Sequence, residues 1–399
     1  MLIRRFAPAF AVPAALLCAT LVIPAAAPAH AQSAPVWSGL DVREHADPLP
    51  SAPGVLVAAT ELDASLWLPG TAEAHRYAYT TRDQHGRMAL STAAVFLPQG
   101  PPPRGGWKTI AFAHGTVGLG DDCTPSALPW YEEGAAYLGG WLDAGYALVI
   151  TDYQGLGTPG LHSYLNGAVE AASVVNSVRA AHELDVALAP EWLVMGHSQG
   201  GQAALFTGNQ ADVLDPDGAL DFRGTVGIAP GVNVEDLALA MDPLVLVPLP
   251  QGLMSYAVML ATAVREAAPE VPVNDHLTAR GRALIDSAAT VCGWQLWYDV
   301  EGVRPGDVFT TAWRDIPGFL DAVRAMAEVP VRGYGDPVLI VQGGLDIDVP
   351  APVVVAFAAE LEASGAPVEL KLYEEADHRD ILEHSLPEVR GFVEQALAD

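Results

Sequence analysis

The sequence predicts an α/β protein: a mostly parallel central sheet, helices on both faces, and an inserted, mainly helical cap. Three observations carry that prediction. From residue 109 onward, apolar runs of strand length alternate with helical patterns, as βα units do. The run Gly196-His197-Ser198-Gln199-Gly200-Gly201 stands where a strand pattern gives way to a helix pattern. The alternation then breaks once, between residues 229 and 338, over a stretch far longer than an ordinary connection.

Residues 32–70 are rich in Pro, Ser and Ala and read as an irregular N-terminal arm. Residues 76–81 and 88–96 flank Asp83-Gln84-His85-Gly86, a hairpin signal that opens the sheet with an antiparallel pair. Strands are expected at 109–113, 147–151, 192–195, 225–229, 338–341 and 369–373. Helices are expected at 131–144, 168–184, 202–213, 353–364 and 386–397. The stretch 233–332 carries further apolar runs and a helical pattern at 316–327. It reads as a cap or lid between a first core part over 71–232 and a second over 333–399. Within it, Leu253, Met254, Val258 and Leu260 either line an acyl pocket or form the buried face of a helix, the commoner case.

At the N-terminus, Arg4-Arg5, an apolar stretch and Ala29-His30-Ala31 read as a signal peptide over residues 1–31, cleaved after Ala31. Cys18 follows Leu17, not the small residue that lipoprotein processing needs. No later segment is long and apolar enough to span a bilayer. The mature chain is therefore expected outside the cytoplasm, extracellular or periplasmic. A formal net charge of −28, with Lys108 and Lys371 the only lysines, opposes binding to nucleic acid or anionic membranes. Cys123 and Cys292 remain after cleavage, and in an oxidising compartment two thiols most simply pair. No zinc, EF-hand or Walker spacing appears, so neither a metal nor a cofactor is expected.

The chemistry starts at Ser198. Glu191-Trp192-Leu193-Val194-Met195 before it suits a buried strand, and Gln202-Ala203-Ala204-Leu205-Phe206 after it suits a helix on a sheet. A serine at such a turn sits in strained backbone, and Gly196 and Gly200 leave room for the close approach. Its hydroxyl needs a base, and the base an orienting carboxylate. Three histidines follow it: His276, His378 and His384. His276 falls in the expected cap and His384 within or next to the last helix, which leaves His378, just past the last strand, as the preferred base. The acid belongs after strand 338–341, where Asp346 fits the spacing Gly-x-x-Asp-x-x-Val-Pro and Asp348, on the same loop, competes. An oxyanion needs two fixed N–H donors. Gln199, directly after the nucleophile, is one. Thr116 in His114-Gly115-Thr116-Val117-Gly118 is the other. Asp152-Tyr153, at a strand end on the same edge, reads equally as pocket support or as a buried hydrogen-bonded aspartate.

Together these stretches resemble the secretory lipase (LIP) family of α/β-hydrolases, to which the fungal lipase A type belongs. The matching pieces are Ala113-His114-Gly115-Thr116 with Cys123-Thr124-Pro125-Ser126, Asp152-Tyr153-Gln154-Gly155-Leu156-Gly157, and the stretch around Ser198. The resemblance implies a secreted lipase or esterase that needs no cofactor, with Ser198, Asp346 and His378 as its triad. It also implies a structural disulfide at Cys123. Fungal members carry a C-terminal flap, whereas this chain ends one helix after His378, which implies a more open site. The expected substrate is a small-molecule or lipid ester, with transient lipid contact through the cap. The alternatives are a serine peptidase or amidase, or a polyesterase, on the same fold. A non-catalytic binding module is a third reading, and such proteins typically lack the serine or the histidine.

Overall fold

Asp83 makes the tight turn between the second and third strands of the sheet. Its carboxylate accepts the backbone N–H groups of His85 and Arg87, each at 2.9 Å, and Gly86 supplies the left-handed residue with φ 73°. In the computed structural model, which describes residues 34–398, this turn joins the longest strand pair. The signal peptide expected over residues 1–31 lies outside the described residues.

The strands are β1 (Leu56–Glu61), β2 (Thr71–Arg82), β3 (Met88–Pro98), β4 (Trp107–Ala113), β5 (Ala147–Thr151), β6 (Leu188–His197), β7 (Asp221–Ile228), β8 (Val338–Gly343) and β9 (Val368–Tyr373). They form one sheet in the order β1-β2-β3-β5-β4-β6-β7-β8-β9. Pairing is antiparallel through β3–β5 and parallel from there to β9. The first strand lies in the stretch that the sequence reads as an irregular arm. It pairs only with β2 at the sheet's edge, so its burial is partial and its apolar pattern too weak to announce a strand.

Helices cover both faces. The first three are α1 (Glu132–Asp143), α2 (Gly167–Ala181) and α3 (Gln199–Leu214). Between β7 and β8 come α4 (Val234–Ala240), α5 (Gln251–Ala267), α6 (Ala279–Ala288), α7 (Gly293–Asp299), α8 (Pro305–Val308) and α9 (Phe319–Ala327). The last three are α10 (Ala351–Ser364), α11 (Ile381–His384) and α12 (Leu386–Ala396). Side chains alternate across a strand, so successive residues of β4 serve opposite faces. Ile110 and Phe112 pack with Leu138 and Trp141 of α1 and Val389 and Val393 of α12. Ala111 and Ala113 pack with Val174 and Val178 of α2 and Ala203 and Ala204 of α3. The small residues on that second face let α3 approach the sheet closely.

The helices α4 to α9 build most of one apolar cluster, joined by Leu119, Tyr164 and Leu165, in which Met254, Val258 and Leu260 of α5 meet Ile285, Phe309, Trp313 and Phe319. These three α5 residues are thus core, while Leu253 is only partly buried. The apolar run before α5 forms no strand, because Pro243, Pro248 and Pro250 interrupt it. Leu244, Leu246 and Val247 there are 82%, 76% and 65% exposed. Among the described residues no helix is long and apolar enough to cross a membrane.

Cys123 and Cys292 are joined, with Cα atoms 5.3 Å apart and a sequence separation of 169. Beside the bond, Gly293 N–H donates to the Val117 carbonyl at 2.7 Å and Gly120 N–H to that of Val291 at 3.3 Å. The clamp fastens the loop after β4 to the segment between α6 and α7. A closed loop of this length contributes at most about 4–5 kcal/mol, of which typically 2–4 are realised. A Cys292→Ser variant, or the reduced protein, is expected to melt roughly 5 °C or more below the oxidised wild type. Calorimetry with and without reductant checks this; an unchanged melting temperature counts against a stabilising clamp.

Candidate active site

The turn between β6 and α3 holds Ser198 at φ 60° and ψ −120°, a conformation that costs a non-glycine residue about 1–3 kcal/mol. The surroundings over-determine it. Ser198 N–H donates to the Ile228 carbonyl at 2.9 Å, and its own carbonyl accepts from Gln202 and Gly231, each at 3.1 Å. A Cβ on Gly196 would lie 2.0 Å from the Gly200 carbonyl oxygen, and one on Gly200 1.9 Å from that of Ala113. Both glycines are therefore required by the crossing of β6, α3 and β4.

His378 reaches Ser198 from the loop after β9. Its Nε2 lies 2.9 Å from Ser198 Oγ, and its Nδ1 lies 2.7 Å from Oδ2 of Asp346. A ring nitrogen facing a carboxylate carries the proton, which leaves Nε2 to accept from the serine hydroxyl. Asp346, on the loop after β8, is itself held. Its Oδ1 accepts the N–H groups of Asp348 and Val349 at 2.9 and 2.8 Å, and its Oδ2 accepts from Gln342 Nε2 at 3.1 Å. The two loops are laced by Gly344 N–H to the Tyr373 carbonyl at 2.8 Å and Leu345 N–H to that of Ala376 at 2.9 Å. His197 fixes the base from the other side. Its Nε2 lies 2.6 Å from the His378 carbonyl oxygen. Burial, and then the nearby His378, lower its pKa to about 3, so it is a neutral donor there.

Asp348 does not bond His378. It turns towards α5, where a Cβ on Gly252 would lie 2.5 Å from its Oδ1. The neighbouring Tyr256 phenol is pushed up, first by burial and then by the Asp348 charge. Among the described residues, Asp346, Asp348 and His378 are the one group with ligand atoms close enough to share a cation. Hydrogen bonds already occupy both nitrogens of His378 and both oxygens of Asp346, so their arrangement is accounted for without an ion.

Gln199 is the first residue of α3, and the helix has no carbonyl one turn earlier to receive its N–H. The loop after β4 runs beside it: a Cβ on Gly115 would lie 3.7 Å from Ser198 Cβ. Next in that loop, Thr116 Oγ1 is 3.0 Å from the hydroxyl of Tyr164. Asp152 and Tyr153 support the loop from below. Asp152 accepts from Ser126 N at 2.7 Å, from Thr92 Oγ1 at 2.6 Å and from Ser126 Oγ, while Arg76 Nε donates to that same Ser126 hydroxyl at 2.8 Å. Tyr153, at φ 62°, donates its hydroxyl to the His114 carbonyl at 3.1 Å.

The structure thus brings together Ser198, His378, Asp346, Gln199 and the Thr116 loop, while Asp348, on the same loop as Asp346, faces α5. Sequence reading missed His197, Gln342 and Tyr164. Gln342 left a signal, as a polar residue ending an apolar strand run. His197 and Tyr164 left none, because their partners are remote in the chain.

These side chains lie at or just past the carboxyl ends of parallel strands, where ligands bind in open α/β sheets. Residues 134–292 match the model of the secretory lipase family. No sequence match is found among curated proteins. In structure the chain is similar to lipase A of Candida antarctica, at 18% identity and a TM-score of 0.70, over 87% of this chain and 84% of that one. It is similar to the rice cell wall degrading esterase LipA of Xanthomonas oryzae, at 17% identity and 0.68, over 86% and 97%. It is also similar to a putative hydrolase of Legionella pneumophila, at 17% identity and 0.69, over 86% and 99%. The chain thus has an α/β-hydrolase-like fold, and over residues 134–292 it is similar to the secretory lipases, which supports a carboxylic ester hydrolase.

Proposed function

We propose that the protein is a secreted serine hydrolase that cleaves acyl esters through an acyl-enzyme. The observation that carries this reading is the hydrogen-bonded line from Ser198 through His378 to Asp346. Ser198 Oγ attacks the ester carbonyl as His378 Nε2 takes its proton. The Asp346 carboxylate holds the imidazole in the Nδ1–H tautomer and stabilises the imidazolium. Negative charge then develops on the carbonyl oxygen, and the backbone N–H groups of Gln199 and Thr116 receive it, each worth a few kcal/mol. His378 returns the proton to the leaving alcohol. Water repeats the sequence on the acyl-enzyme and releases the acid.

The helical segment 233–332 serves as the cap over this site. Support comes from Asp348 and Tyr256, which set the loop that carries Asp346 directly against α5. Secretion is supported by the family's description and by the disulfide.

Hydrolysis of p-nitrophenyl esters from acetate to palmitate tests the reading. Serine-dependent turnover of these esters is expected. A preference for medium or long chains marks a lipase with an acyl tunnel, and activity confined to acetate and butyrate marks an open-pocket esterase. Absence of turnover on every ester overturns the proposal and favours the peptidase reading.

A further inference from the structure

Glu170, in the first turn of α2, is fully buried and takes no part in the chemistry described so far. Its Oε1 accepts from the Leu165 backbone N–H at 3.1 Å and from the side-chain Nε2 of Gln199 at 2.7 Å. Gln199 Nε2 also lies 2.9 Å from Nε2 of His162. An amide nitrogen has two hydrogens, and this one spends them on Glu170 and His162. The histidine obliges: its Nδ1 faces the Gln154 carbonyl oxygen at 3.2 Å and carries the proton, so its Nε2 accepts. The side chain of the residue after the nucleophile is therefore held from two sides.

We propose that Glu170 is a positioning residue: through the Gln199 side-chain amide it fixes the backbone N–H that receives the developing oxyanion. The inference rests on the ester-hydrolase reading above. Leu165 strengthens it. That residue sits at φ 57°, and its N–H is tied to the same Glu170 oxygen, so one carboxyl group holds both a strained loop and the start of α3. Tyr164, beside Leu165, bonds Thr116, so the same loop reaches the second donor.

The device works in the neutral state. Glu170 Oε2 is buried without a partner, and the titratable groups facing it are the phenols of Tyr153 and Tyr164 and the neutral His162, none of them a cation. Further along α2, the phenols of Tyr77 and Tyr79 on β2 bond helix carbonyls instead. Burial raises the Glu170 pKa to about 8, against the opposing hydrogen bonds of Gln199 and Leu165. Below that pH the carboxyl is protonated. Above it, an unpaired charge appears beneath the nucleophile turn.

The test is kcat and KM for one p-nitrophenyl ester from about pH 6 to 10, for wild type, Glu170→Ala, Glu170→Gln and Ser198→Ala. Glu170→Ala is expected to lower kcat by about 10- to 100-fold at neutral pH, with KM changed less than about 2-fold. Glu170→Gln keeps the accepting oxygen and cannot ionise. It is expected to restore kcat to within about 3-fold and to lack the loss of roughly 10-fold that wild type shows from neutral pH to well above pH 8. A purely structural role would shift melting temperature without changing that alkaline limb. If Glu170→Ala does not fold, the comparison of wild type with Glu170→Gln decides. A shared alkaline limb, or an unimpaired Glu170→Ala, overturns the proposal. When wild-type turnover depends on Ser198, that failure touches Glu170 alone; when it does not, both readings fall.

Discussion

A Ser198→Ala variant is expected to lose roughly four to six orders of magnitude in kcat, with melting temperature nearly unchanged. The two halves of the expectation have different physical sources. Alanine has a Cβ like serine, so it meets the same backbone strain at φ 60° and the same contacts around Gly196 and Gly200. What it lacks is the one oxygen 2.9 Å from His378 Nε2. Residual catalysis then comes only from substrate binding and the oxyanion donors, a small remainder of the total acceleration. Single-turnover assays with p-nitrophenyl butyrate check it. Retention of more than about 1% of wild-type kcat would falsify the assignment of Ser198 as nucleophile.

The second large effect separates two aspartates that lie two residues apart. Asp346→Asn is expected to lower kcat by about 10⁴-fold, and Asp348→Asn by less than about 10-fold. An amide at 346 presents N–H hydrogens where Oδ2 now accepts from His378 Nδ1 at 2.7 Å. The imidazole then favours the opposite tautomer, with Nε2 protonated and unable to accept from Ser198. Asp348 contributes to that acid only through its backbone N–H, 2.9 Å from Asp346 Oδ1, which an asparagine retains. Its carboxylate faces α5. Steady-state kinetics of the two variants, with near-ultraviolet circular dichroism as a folding control, decide the matter. Equal losses would mean that Asp348 shares the acid's role.

Most of the frame was legible in the sequence because its signals are local. The run 147–150 is apolar throughout and, with Thr151, became a strand buried on both faces. Asp83-Gln84-His85-Gly86 carried its turn chemistry in four consecutive residues. The chain order of Ser198, Asp346 and His378 is likewise a property of sequence. The edge strand β1 was not legible, because a strand with one neighbour and partial burial owes its existence to β2 rather than to its own residues.

Tertiary structure decided the rest. Asp346 and Asp348 are the same residue type on one loop, and only the direction of the backbone between β8 and α10 sends one carboxylate to His378 and the other to α5. Glu170 sits 29 residues from Gln199, yet burial and hydrogen bonding join them. Local sequence specifies which backbone conformation a segment prefers. Which polar groups share a buried site depends on how distant segments pack, since a hydrogen bond is set by distance and angle in space and not by separation along the chain.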